Sequence, residues 1–158
     1  LRKVRKKGAY VIVLTPKGRK FDQLTALKLA AKKHLVFVCG HYEGIDERVN
    51  SFADLELSIG DYVLTGGEPA AVAVIDAITR LIPGVLKKAD ATVNETFTEG
   101  LLEAPHYTRP GVWRRMKVPE ALLSGNHKLI SDWRRSAAKD LTARRRPDLV
   151  RKIKLEEV

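Results

Sequence analysis

The chain has 158 residues, 44% of them hydrophobic, with a formal net charge of +10. That length suits one domain, or one with a small appendage, and leaves enough apolar material for a real core. No apolar run approaches the roughly 20 residues of a membrane-spanning helix, and a single cysteine rules out an intrachain disulfide.

Nothing points to secretion, so a cytoplasmic protein is expected. The chain opens Leu1-Arg2-Lys3, without Met and without a signal-peptide core, so a further N-terminal portion is expected ahead of it. The charge is uneven. Residues 1–105 hold 15 Lys/Arg against 13 Asp/Glu, a net of +2, and residues 106–158 hold 14 against 6, a net of +8. A near-neutral body with a basic C-terminal part implies a polyanionic partner, most simply nucleic acid.

In chain order, Leu1 to Gly8 is basic and reads as a helix remnant or a frayed end. Ala9 to Leu14 is a continuous β-prone run, as a strand buried on both faces requires, and Thr15-Pro16-Lys17-Gly18 reads as the turn that ends it. Phe21 to Lys33 carries Leu24, Leu27, Ala30 and Ala31 at helical spacing. Leu35 to Cys39 is a second buried strand, followed by Gly40-His41-Tyr42-Glu43-Gly44. Cys39 reads as a buried free thiol. Ile45 to Ala53 is a connector, Asp61 to Leu64 a third strand, and Ala71 to Ile82 a second helix closed by Pro83-Gly84.

Strands alternating with helices predict an α/β fold with a parallel sheet covered on both faces. Three strand-end loops on one edge predict a ligand site there. The richest is Ser58 to Ala71, where a Gly-Gly turn precedes Glu68-Pro69 and an Ala/Val/Ile helix pattern. No GxxxxGK[ST] or GxGxxG pattern occurs, so ATP and NAD are poorly supported.

The domain plan is residues 1–86 as the α/β domain, 87–98 as a polar linker, and 99–158 as a small helical domain. In the last, Ser124-Gly125-Asn126-His127 signals a helix start, with Ile130, Trp133, Ala137 and Leu141 on one face. Pro147 opens a further short helix. Trp113 and Trp133 read as core anchors of that domain, with base-stacking platforms the alternative.

These residues carry a resemblance. Leu14 to Arg19, Cys39 to Arg48, Ser58 to Pro69, Arg80 to Leu86, Glu99 to Leu102, Pro105 to Pro110 and Leu122 to His127 follow in order across almost the whole chain. Together they resemble the bacterial tRNA (guanine-N1)-methyltransferase family, among the trefoil-knotted, S-adenosylmethionine-dependent RNA methyltransferases. The resemblance implies a deep trefoil knot and a cofactor pocket built from three loops. The first supplies Val13, Leu14, Thr15, Pro16 and Gly18; the second Gly40, Tyr42, Glu43 and Gly44. The third supplies Ser58, Ile59, Gly60, Tyr62, Leu64, Gly66 and Gly67. Glu43 is either a ribose ligand or a structural carboxylate at a turn.

The implied reaction is methylation of N1 of the guanosine at position 37 of tRNA, 3′ of the anticodon. A carboxylate base removes the N1 proton, and a cation stabilises charge building at O6. Arg80 matches the family's arginine. The base falls on Glu95 in Asn94-Glu95-Thr96-Phe97, where the family pattern has Asp-Ser-Phe, with Asp90 a poorer alternative on spacing. One extra methylene moves the carboxylate by about an ångström, and position matters that finely. The resemblance also implies a homodimer with the active site at the subunit interface and a requirement for magnesium without a metal site of its own. The tRNA anticodon arm would be held through Arg114, Arg115, Arg134, Arg135, Arg144, Arg145 and Arg146. Two other readings remain open: an RNA-binding module without catalysis, and a knotted methyltransferase acting on a different RNA.

Overall fold

Tyr10-Val11-Ile12-Val13-Leu14 has no polar side to offer water, and the chain places it at the centre of a sheet. In the computed structural model, which describes residues 5–42, 44–87, 92, 95–97 and 100–150, this run opens strand β1 (Tyr10–Lys20). Parallel partners flank it, β2 (Leu35–Cys39) on one side and β3 (Leu55–Ser58) on the other, in the order β2-β1-β3. Val11, Ile12, Val13 and Leu14 are all buried. Burying such side chains contributes about 1.5–3 kcal/mol each, as an upper estimate.

Two helices cover the Ile12 and Leu14 side of the sheet. Helix α1 (Gln23–Ala30) is capped by Asp22, whose Oδ1 accepts from Thr25 N at 2.8 Å and Thr25 Oγ1 at 2.6 Å. Helix α2 (Glu68–Thr79) starts after Gly67 with Pro69 in its first turn, where a missing N–H costs nothing. Ala26 and Leu29 of α1 and Ala70, Ala71, Val74 and Ile78 of α2 form one cluster with Ile12, Leu14 and Leu57.

Two of the expected elements are corrected. Thr15 to Gly18 does not end β1. The strand continues to Lys20 through a bulge, so that Leu14 and Arg19 both lie opposite Leu57. Gly18 makes this possible: a Cβ there would collide with Leu57 N and lie 2.5 Å from the Glu56 carbonyl carbon. The third strand is Leu55–Ser58, while Tyr62, Val63 and Leu64 are exposed loop residues. The connector between β2 and β3 contains a 3₁₀ helix, Glu47–Phe52.

The chain divides into two compact units, Leu1–Ala89 and Asp90–Val158. The second holds a two-stranded hairpin, β4 (Val112–Trp113) and β5 (Met116–Lys117), then α3 (Glu120–Leu123) and α4 (His127–Arg145). Asn126 caps α4, its Oδ1 accepting from Lys128 N at 3.0 Å. Ile130, Trp133, Ala137 and Leu141 are half-buried along one face of α4, and Trp133 meets Tyr107 edge-on at 6.1 Å. Thr142 is fully buried, its Oγ1 donating to Ala138 O and accepting from Leu102 N. Trp113 does not anchor a core. It is 55% exposed, because two-residue strands offer too little surface to enclose an indole. Among the described residues, no helix is long and apolar enough to cross a membrane.

Candidate functional site

The strand order reverses beside β1, since the chain runs from β1 out to β2 on one side and then crosses over to β3 on the other. Open parallel sheets bind ligands at the carboxyl ends of strands at such a point. A cavity of about 310 Å³ lies there, within the range of small-molecule sites.

Three segments line it. From β1 come Val13, Leu14, Thr15 and Pro16; after β2 come Gly40, Tyr42 and Gly44; after β3 come Ser58, Ile59, Gly60, Tyr62, Leu64, Gly66 and Gly67. Gly18 is absent from this lining and packs on the β3 backbone instead. Glu43 lies outside the described residues, as does the alternative base Asp90.

Local chemistry explains the shape of the rim. Ser58 Oγ donates to Gly60 O at 3.0 Å and accepts from Gly60 N at 3.2 Å, folding the third loop back on itself. Gly60 takes φ +158 beside the Tyr62 ring, which a Cβ would strike. The second and third loops are joined. Gly67 N donates to Gly40 O at 3.0 Å, His41 and Gly66 form an isolated β-bridge, and His41 Nε2 sits 2.8 Å from Glu68 Oε1. Side chains at the two joining glycines would fill this cradle. A Cβ on Gly67 would lie 2.8 Å from Cys39 Cα, and one on Gly66 would lie 2.7 Å from Glu68 Oε2.

The Glu68 carboxyl is held below its ordinary value, first by its own backbone N–H and, against some desolvation, also by His41. Burial pushes the Cys39 thiol up, aided by the Glu68 charge, so this free thiol stays protonated and unreactive.

Sequence reasoning missed the His41–Glu68 pair, because the partners stand 27 positions apart. It also missed Glu47 and Asn50 in the cavity wall, where Asn50 Nδ2 donates to Glu47 Oε1 at 3.1 Å and to Glu56 Oε2 at 3.3 Å. The Asp46-Glu47-Arg48 run was the available signal.

Arg80 is the half-buried C-cap of α2 in the first unit, and Glu95 is half-buried in the second. Arg114, Arg115, Arg134, Arg135, Arg144 and Arg145 are exposed. Arg146 differs. It is half-buried and already engaged, with Nε 2.9 Å from Asp148 Oδ1, Nη2 2.7 Å from Asp148 Oδ2, and its guanidinium 5.7 Å from the Phe97 ring centre.

The family model described as tRNA (Guanine-1)-methyltransferase TrmD matches residues 1–152. A Sulfurihydrogenibium protein named tRNA (guanine-N(1)-)-methyltransferase is 52% identical over 149 residues, covering 94% of this chain and 59% of that protein. Proteins of the same name from Clostridium botulinum and Carboxydothermus hydrogenoformans are each 54% identical. They match 90% and 92% of this chain and 60% and 58% of their own lengths. The chain thus spans about three-fifths of the curated relatives it matches. A match of this extent establishes that the chain belongs to the tRNA (guanine-1)-methyltransferase family.

Proposed function

We propose that the protein to which this chain belongs methylates N1 of the guanosine at position 37 of tRNA, using S-adenosylmethionine. The cavity between residues 13–16 of β1 and the loops after β2 and β3 carries the reading. Its glycines let the loops close tightly on their neighbours, and Ile59, Tyr62 and Leu64 supply apolar surface beside backbone hydrogen-bonding groups.

Bound there, S-adenosylmethionine supplies a methyl group on a sulfonium centre. Val13 to Pro16, Gly40 to Gly44 and Ser58 to Gly67 hold it, with Gly18 supporting the first loop from behind. Glu95 accepts the N1 proton of guanine and so makes that nitrogen a nucleophile. Arg80 faces the negative charge that gathers at O6 as the proton leaves.

The proposed assembly is a cytoplasmic homodimer in which Glu95 of one subunit completes the partner's cofactor pocket. The sheet region is tied in a trefoil knot, and 87–98 is the linker joining the cofactor domain, 1–86, to the tRNA-binding domain, 99–158. The exposed arginines of the second unit grip the anticodon arm. Among the described residues, no cluster of three or more His, Cys, Asp or Glu could hold a metal ion, and the magnesium that the resemblance implies is assigned to no residue of this chain.

The test is methyl transfer from labelled S-adenosylmethionine to an unmodified tRNA transcript. It runs beside a transcript with adenosine at the target position and beside Glu95→Gln. Incorporation into the guanosine transcript alone, lost in Glu95→Gln, is the expected result. Equal labelling of both transcripts would overturn the target. Full activity of Glu95→Gln would overturn the base.

A further inference from the structure

The β4–β5 hairpin is built in a way that core formation does not explain. Val112 pairs with Lys117 and Trp113 with Met116, leaving Arg114 and Arg115 as a two-residue turn. Both arginines have positive φ, +46 and +67. Such primed turns normally draw Asn-Gly, and two arginines there hold the backbone in a region that L side chains rarely adopt.

Residues directly opposite in an antiparallel pair share a face. Trp113 and Met116 therefore stand side by side, and they are 55% and 60% exposed. The Arg114 guanidinium lies 4.7 Å from the indole centre. From residue 104 to residue 119 no acidic side chain occurs, while Arg109, Arg114, Arg115 and Lys117 are basic.

We propose that the Trp113–Met116 face of this hairpin is a stacking platform for one unpaired RNA base, with Arg114 and Arg115 holding the phosphates that flank it. The proposal rests on the reading of the second unit as RNA-binding and adds to it a base-contacting residue. An indole offers a flat π surface to any base, and a neighbouring guanidinium adds a cation–π and phosphate partner. A duplex cannot use the platform, because its bases are already stacked on one another.

The experiment measures binding of a fluorescein-labelled anticodon stem-loop RNA by anisotropy at several salt concentrations, without S-adenosylmethionine. The full chain is compared with Trp113→Ala, Trp113→Tyr and the double variant Arg114→Gln/Arg115→Gln. A fully paired RNA of equal length serves as the second ligand.

Trp113→Ala is expected to raise Kd for the stem-loop about 5- to 100-fold with little change in salt slope, while Trp113→Tyr restores most of the affinity. The double arginine variant is expected to reduce the salt slope by about 2. Binding of paired RNA should be indifferent to Trp113.

Unchanged stem-loop affinity in Trp113→Ala would overturn the proposal, as would an equal loss for paired RNA. A change in sedimentation coefficient in Trp113→Ala would overturn it too, by making this face an interface between copies. Binding is read apart from methyl transfer. Trp113-dependent binding without turnover would count against the proposed reaction alone. Turnover with Trp113-independent binding would count against the platform alone.

Discussion

His41 Nε2 lies 2.8 Å from Glu68 Oε1, and this contact ties the loop after β2 to the first turn of α2. Gly67 N to Gly40 O, at 3.0 Å, runs beside it. The two links set the separation of two of the three cavity walls. Both side chains are more than half exposed, so the contact is screened by solvent and adds modestly. His41→Ala is expected to weaken S-adenosylmethionine binding about two- to fivefold, read by calorimetric titration. An unchanged Kd would mean that the backbone link alone fixes the rim.

The same pair carries a pH dependence whose sign follows from Glu68. Its carboxyl is lowered in the folded chain, first by its own backbone N–H and also by His41, so the charged form favours folding. That contribution is present above the ordinary carboxylate value of 4.5 and is lost as pH falls through the lower folded value. The urea midpoint of wild type minus that of Glu68→Gln is expected to shrink as pH falls below about 4.5. A difference that stays flat to about pH 3 would remove Glu68 from the linkage.

Gly67→Ala tests how closely the backbone of α2 approaches β2. Gly67 sits at φ −78, which alanine adopts freely, so any effect is steric. The new Cβ would lie 2.8 Å from Cys39 Cα and 3.2 Å from Gly40 N, neither of which is a flexible side-chain end. A loss of about 1–3 kcal/mol is expected in chemical denaturation, together with weakened cofactor binding. An unchanged midpoint would show that the turn can shift without cost.

Thr142→Val removes one oxygen from the only fully buried polar side chain described in α4. Leu102 N, which donates to Thr142 Oγ1 at 2.9 Å, would be left without its acceptor in a partly buried setting. Valine matches the shape of threonine, so the cost is that of an unpaired donor, about 1–3 kcal/mol. Denaturation followed by Trp133 fluorescence would read it. A midpoint equal to wild type would mean that water reaches the Leu102 amide.

What the sequence made legible follows from how strongly each segment advertises its environment. Leu35 to Cys39 is uniformly β-prone, and the strand has those bounds. Asn126 had the oxygen a helix N-terminus needs, and it caps α4. Leu55-Glu56-Leu57-Ser58 was not legible as a strand, because Glu and Ser break the apolar run of a buried parallel strand. Tyr62-Val63-Leu64 looked more like a strand and instead lines the cavity, where an apolar wall faces the site rather than the core. Thr15 to Gly18 misled, its Pro and Gly standing within β1, whereas most residues of the loops after β2 and β3 were legible because glycine marks tight turns. Their cross-links were not, because nothing local in His41 announces Glu68. Thr142 and Trp113 were missed in opposite directions, a polar residue inside and an aromatic outside. Only the packing partners decide such cases.

The exposed arginines of α4 support a prediction that separates charge from fold. Arg134, Arg135, Arg144 and Arg145 are exposed, and none of them forms a side-chain ion pair among those described. Arg146 is bound to Asp148, whose carboxyl is held below the usual carboxylate value chiefly by that hydrogen bond. An arginine already paired gains less from a phosphate than one still hydrated. Each substitution Arg134→Gln, Arg135→Gln, Arg144→Gln or Arg145→Gln is therefore expected to lower the slope of log K against log salt by about 1 for every phosphate that the variant no longer neutralises. Arg146→Gln is expected to leave the slope nearly unchanged and to lower the thermal midpoint instead. Slopes from anisotropy titrations with unmodified tRNA, set beside melting curves, distinguish the two outcomes. A slope that falls for Arg146→Gln and not for the four exposed arginines would place the phosphate-binding surface at the end of α4 and away from its exposed face.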